Sequence, residues 1–128
     1  MNLEQLRDYA LSLPYVTEDS AFGPDHVLFR VGNRIFMCVS LDRSEFFTVK
    51  CDAALAIELR ERYPDVEPAW HWNKKYWNQV RIDGCLTDDF IRNLIRHSYA
   101  EVVGKLGRRF VADHPEVMSV VVADEYFQ

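Results

Sequence analysis

All three tryptophans of the chain fall within the eight residues 70–77, interleaved with His71, Asn73, Lys74, Lys75 and Tyr76. Asn78 and Arg81 follow, and the stretch from Trp70 to Arg81 contains no acid. This combination suits an anion that also offers a π face, because ammonium and guanidinium groups meet phosphate while indole and phenol rings stack on bases. Read that way, Lys74, Lys75 and Arg81 contact phosphate, Trp72 and Tyr76 approach bases, and Asn73 and Asn78 hydrogen-bond base edges or backbone. His71, beside Asn73, joins this set, with a satisfied structural histidine as the other reading of its position. Two other readings stay open on spacing alone. A groove holding a small planar molecule or a peptide uses the same rings. A tryptophan at a strand end also serves as core, and a lysine pair as a solvated turn.

Other chemistry has weaker support. The histidines at 26, 71, 97 and 114 show no metal-ligand spacing such as His-x-x-x-His, and no metal or other cofactor is expected. There is no nucleophile elbow and no glycine-rich phosphate loop. Cys51 stands beside Asp52, whose carboxylate raises the thiol pKa. His97 reads as solvated on a polar helix face with Asn93 and Glu101. A non-enzymatic binding protein is therefore expected.

Hydrophobic periodicity supplies the elements that position the segment. A helix starts at Asn2, with Gln5 completing a capping box, and Leu3, Leu6, Ala10 and Leu13 repeat before Pro14 stops it. Residues 15–25 read as loop. The period then becomes two, with Val27, Phe29 and Val31 on one strand and Ile35, Met37 and Val39 on the next. Gly32-Asn33 between them is a hairpin signal. A third strand is predicted near 46–50. Asp52 caps a second helix that ends at Pro64. Two short strands are expected near 66–70 and 78–82, with Asn73 capping a single helical turn, 74–77, between them. Thr87 then caps the longest helix, whose core face is Ile91, Leu94, Ile95, Ser98, Val102 and Leu106, and Gly107 stops it. The order α-β-β-β-α-β-β-α with tight connections predicts an α+β, two-layer α/β sandwich: an antiparallel five-stranded sheet with helices packed on it. Residues 1–110 form the domain, and 111–128 a C-terminal extension in which 117–122 is expected to add an edge strand.

With 128 residues, 48% of them hydrophobic and 27% charged, the chain has the size and composition of one globular domain with its own core. The net charge of −5 argues against tight nonspecific binding to nucleic acid, but it is unevenly spread. Residues 71–110 carry +4, between 1–70 at −5 and 111–128 at −4. No 18-residue apolar run and no signal peptide are seen, so no membrane partner is expected. Three scattered cysteines read as free thiols in a reducing, cytoplasmic setting.

Several blocks together resemble the MmcQ/YjbR family of small bacterial proteins, over residues 1 to about 110. They are Leu3-x-x-Leu6-Arg7 closing in Leu11-Ser12-Leu13-Pro14, then Phe22-Gly23, Val31-Gly32-Asn33-Arg34-Ile35-Phe36 and Val49-Lys50-Cys51-Asp52. The most specific is His71-x-Asn73-Lys74-Lys75-x-Trp77-Asn78-x-Val80, and Ser98-Tyr99 completes the set. The resemblance implies a two-layer fold arranged like that of secretion chaperones, and DNA as the partner. The chaperone-like arrangement also leaves open a protein-interaction module, and both a monomer and a homodimer. The chain departs from the family pattern in its longer tail after Phe110.

Overall fold

Six strands pair into one sheet in the order β1-β2-β3-β4-β6-β5, every neighbour antiparallel. The structure is a computed structural model and describes residues 1–124. The strands are β1 (Val16–Asp19), β2 (His26–Val31), β3 (Arg34–Ser40), β4 (Phe46–Lys50), β5 (Val66–Pro68) and β6 (Trp77–Arg81). Helices α1 (Leu3–Ser12), α2 (Ala53–Arg62) and α3 (Asp88–Leu106) feed one apolar core together with the sheet.

The α+β, antiparallel architecture agrees with the periodicity, but the sheet has six strands rather than five. The extra strand is β1, inside the stretch expected to be loop. It has one apolar residue, Val16, so it carries no hydrophobic alternation. Pairing with β2 and two arginine–carboxylate contacts hold it instead: Arg7 with Glu18 from α1, and Arg30 Nε with Asp19 Oδ2 at 2.6 Å across the ladder.

Caps and turns follow their residue chemistry. Asn2 and Gln5 form the capping box of α1, Asp52 Oδ2 accepts Leu55 N–H, and Thr87 Oγ1 accepts Phe90 N–H. Gly32 and Asn33 have φ of 54° and 67°, the left-handed pair of a hairpin turn. One register shift interrupts the β2–β3 ladder: Phe29 faces Met37, but Arg30 faces Ile35. Phe36 is the extra residue, so Phe36 and Met37 both enter the core, against the strict alternation expected of Ile35, Met37 and Val39.

The tail corrects a second expectation. Residues 108–123 form helices α4 (Arg108–Asp113) and α5 (Val117–Ala123), not an edge strand. The β-branched run 120–122 favours a strand locally, but Val117, Val120 and Val121 also share a helical face, and α5 packs on α3. Residues 125–128 of the tail lie outside the described residues. His97 is likewise buried rather than solvated. Its Nε2 accepts Asp52 N–H at 3.1 Å, and its Nδ1 lies 3.1 Å from both carboxylate oxygens of Asp124 at the end of α5. Among the described residues no helix is long and apolar enough to cross a membrane.

Alternation divides each strand between two faces. Phe29, Val39, Phe47, Val49 and Val80 point into the helical layer. Their neighbours His26, Cys38, Ser40, Phe46, Thr48 and Gln79 point the other way, toward a face built over by the loops around 20–25, 41–45 and 69–76.

Candidate functional site

On that second face the loops enclose a cavity of about 610 Å³. Its floor is strand residues: Cys38, Ser40, Thr48 and Gln79. Its walls are rings, Phe22 and Phe46 with Trp70, His71 and Trp72. Charge enters from the 3-10 turn Leu41–Arg43, through Asp42 and Arg43.

The ring-bearing loop is tied down by groups that alternation places on opposite faces. Gln79 Oε1 accepts Trp70 N–H at 3.1 Å while its amide nitrogen donates to Glu67, so a buried amide on the cavity floor fixes the start of the loop. From the helical side, Arg60 donates from Nε to Asn78 Oδ1 at 2.6 Å and from Nη2 to the Lys74 carbonyl, fixing its end. Asn73 closes a hydrogen-bonded turn, its Oδ1 accepting Lys75 N–H at 3.0 Å and its carbonyl accepting Tyr76 N–H at 3.1 Å. The helical turn expected at 74–77 is thus a single Asx-type turn, because β6 begins at Trp77 and claims its backbone. His71 sits at φ 68°, a left-handed conformation unusual for a side-chain-bearing residue.

The residues singled out in the sequence separate into four places. His71, Trp72 and Asn73 line the cavity. Trp72 is half-buried, packing on Trp77 with centroids 4.5 Å apart and facing Phe22 at 6.0 Å. Lys74, Lys75 and Tyr76 lie on the exposed outer side of the loop. There Lys74 Nζ donates to the Ala69 carbonyl at 3.1 Å, while Lys75 and Lys50 hold their ammonium groups 5.4 and 6.0 Å from the Tyr76 ring. Burial first, and then nearby Lys105, lowers the pKa of Lys50. Arg81 stands at the far end of β6, over the Phe46 ring at 4.7 Å and paired with Asp83 at 3.2 Å. Asn78 is only 2% exposed and points into the helical layer, out of reach of the cavity. The helix arginines add nothing to this face. Arg92 pairs with Asp89 and Arg96 reaches Tyr9 of α1, both on the layer that covers the sheet's other side.

Several cavity residues escaped the sequence reading: Phe22, His26, Phe46, Gln79 and Arg43, while Trp70 enters it only as one ring of the aromatic stretch. Trp70 is 60% exposed, and Arg43 lies over both its ring, at 4.7 Å, and that of Phe46, at 5.2 Å. The signal that finds the strand residues is the second register of each strand, which runs Cys38-x-Ser40, Phe46-x-Thr48 and Gln79-x-Arg81. The two buried thiols are not primed for attack. Burial pushes Cys38 up to about 11, and burial followed by Asp52 pushes Cys51 up to about 12. Among the described residues no cluster of three or more His, Cys, Asp or Glu side chains is placed to hold a metal ion.

The YjbR family model matches residues 11–101, the span holding the whole sheet and the cavity. This chain belongs to the YjbR family. Among its relatives is the uncharacterised protein YbdF of Escherichia coli O157:H7, 34% identical over 107 residues, which are 83% of this chain and 88% of that protein. The uncharacterised protein YjbR of Escherichia coli K12 is 28% identical, over 83% of this chain and 91% of its own length. Two solved structures share the fold. The Deinococcus radiodurans protein DR2400 superposes with a TM-score of 0.78 at 27% identity, covering 84% of this chain and 82% of that one. A Pseudomonas syringae protein gives 0.65 at 26% identity, over 77% of this chain and 96% of its own. The YjbR match ends before Gly107, so α4 and α5 lie beyond it.

Proposed function

We propose that this YjbR protein is a cytoplasmic, non-catalytic binding module whose sheet-face cavity accepts a planar aromatic ring. One observation carries the reading: Phe22, Phe46, Trp70 and Trp72 wall a volume of about 610 Å³ over a floor of Ser40, Thr48 and Gln79. That is the size, and the mix of apolar walls with a few fixed polar groups, of small-ligand sites. The buried, unactivated thiols Cys38 and Cys51 support the reducing setting. The test is tryptophan fluorescence during titration with adenosine, an uncharged planar probe. Saturable change at roughly millimolar concentration, weakened about tenfold or more by Trp72→Ala, is expected. Flat titrations with adenosine, its 5′-monophosphate and simple indoles alike remove the reading.

A second reading, nucleic acid, is favoured by the lysine rim. Lys50 and Lys75 stand at the Tyr76 ring and Lys74 on the same loop, its Nζ on the Ala69 carbonyl; an unstacked DNA base would enter the cavity and its phosphates would meet these ammonium groups. A single-stranded oligonucleotide should then bind with a steep salt dependence, and Lys75→Ala should lower that slope by about one. Lys75 is the cleaner variant, because Lys74 also braces the loop through Ala69. No binding at low salt removes this reading and leaves the first.

A further inference from the structure

We infer that the cavity ligand carries an anionic group, a carboxylate or phosphate on its ring system, and that Arg43 receives it. This rests on the ring-binding reading above. The observation is an arginine with its donors unspent. Arg7, Arg30, Arg62, Arg81, Arg92 and Arg109 each pair with a carboxylate, and Arg60 and Arg96 hydrogen-bond to carbonyls and polar side chains. Arg34 and Arg108 stand exposed to solvent. Arg43 is half-buried, makes no hydrogen bond or ion pair among the described residues, and is held by two ring faces, Trp70 and Phe46.

Aromatic faces fix the plane of a guanidinium without using its N–H edge. The fork is thereby oriented but uncommitted, at the wall of a cavity large enough for a ring system. A planar oxyanion is its natural complement, through two parallel charge-assisted hydrogen bonds. Arg81, 4.7 Å from the Phe46 ring centroid, raises the local potential, although Asp83 already engages it. Among the described residues Asp42 is the one carboxylate lining the cavity, and the floor groups Ser40, Thr48 and Gln79 are neutral.

Two matched probe pairs test this by calorimetry: adenosine 5′-monophosphate against adenosine, and indole-3-acetate against indole-3-ethanol. At least one anion should bind about tenfold tighter than its neutral partner, and which pair does so tells phosphate from carboxylate. Arg43→Gln should erase the difference, Arg43→Lys should keep part of it, and Arg92→Gln on the far face should leave it intact. Equal binding of charged and neutral partners overturns the anion assignment, and a preference unchanged in both Arg43 variants overturns Arg43 as the receiving group; in either case the ring reading stands. Failure of all four probes overturns both.

Discussion

Asn78 shows how one residue type serves opposite purposes. As a hydrogen-bonding side chain in a basic, aromatic stretch it suits a base edge. In the fold it is buried, accepting from Arg60 Nε and donating from Nδ2 to the Ala56 carbonyl at 3.4 Å. The parity of β6 contained that answer: Asn78 lies two residues from Val80, a core residue, so the two share a face, while Gln79 takes the cavity side. Arg60 was harder to find, because nothing near it in sequence marks a residue that must brace a loop fourteen positions away. Asn78→Ala should destabilise the protein by about 1–3 kcal/mol, since it leaves a half-buried guanidinium short of an acceptor. Urea unfolding checks it, and a variant as stable as the parent would show that the network holds little. The same variant should raise acrylamide quenching of the tryptophans, because the loop end loses its tether.

At the scale of elements, caps and turns were the most legible features, being local. Asn2, Asp52, Thr87 and Gly107 bound their helices where side-chain chemistry places them. The Gly32-Asn33 hairpin was equally plain, and the structure adds a second constraint. A Cβ on Gly32 would come within 2.7 Å of Leu106 and 2.9 Å of Phe110, at φ 54°. Gly32→Ala should therefore lose about 1–3 kcal/mol from backbone strain, and more if α3 and α4 cannot yield. Thermal melting reads this directly, and a neutral result would mean that the α3–α4 corner is soft. The elements misread were those decided by long-range partners. β1 is a strand because β2 and two arginines hold it. The tail is helical because α3 offers it an apolar surface. Neither partner is visible within a local window of sequence.

For the whole molecule, the decisive property is that the sheet has one face packed against helices and another that floors the loop-covered cavity. Core residues and helices occupy the first; aromatic and neutral polar residues occupy the second. The net −5 of the chain does not describe the second face, where Arg43 and Arg81 stand near the cavity and Lys50, Lys74 and Lys75 rim its loop. Acid sensitivity should also be uneven. A hydrogen bond from Arg7 lowers the pKa of Glu18, one from Arg30 lowers that of Asp19, the N-terminal ammonium lowers that of Asp88, and Tyr15 lowers that of Glu116. Carboxylates with depressed folded values stabilise above their unfolded pKa, near 4, and lose that contribution as pH falls through the folded values. Asp88 and Glu116 are exposed, Glu18 and Asp19 half-buried, and all four are individually weak, but three of them tie α1, β2 or the tail to β1 and its entry turn. Below about pH 4, hydrogen-exchange protection of β1 should fall before that of β3, β4 and β6. Uniform loss across the sheet would contradict this.

The claim on which the functional account depends is that the loop-covered face of the sheet takes up an aromatic ligand. Nuclear magnetic resonance titration of the 15N-labelled protein with adenosine 5′-monophosphate tests it most directly. Shifts concentrated on Phe22, Arg43, Thr48, Trp72 and Gln79, with the Trp70 and Trp72 indole N–H signals moving together, would support it. Shifts centred on Arg92 and Arg96 of α3, or none at the cavity up to saturating nucleotide, would contradict it.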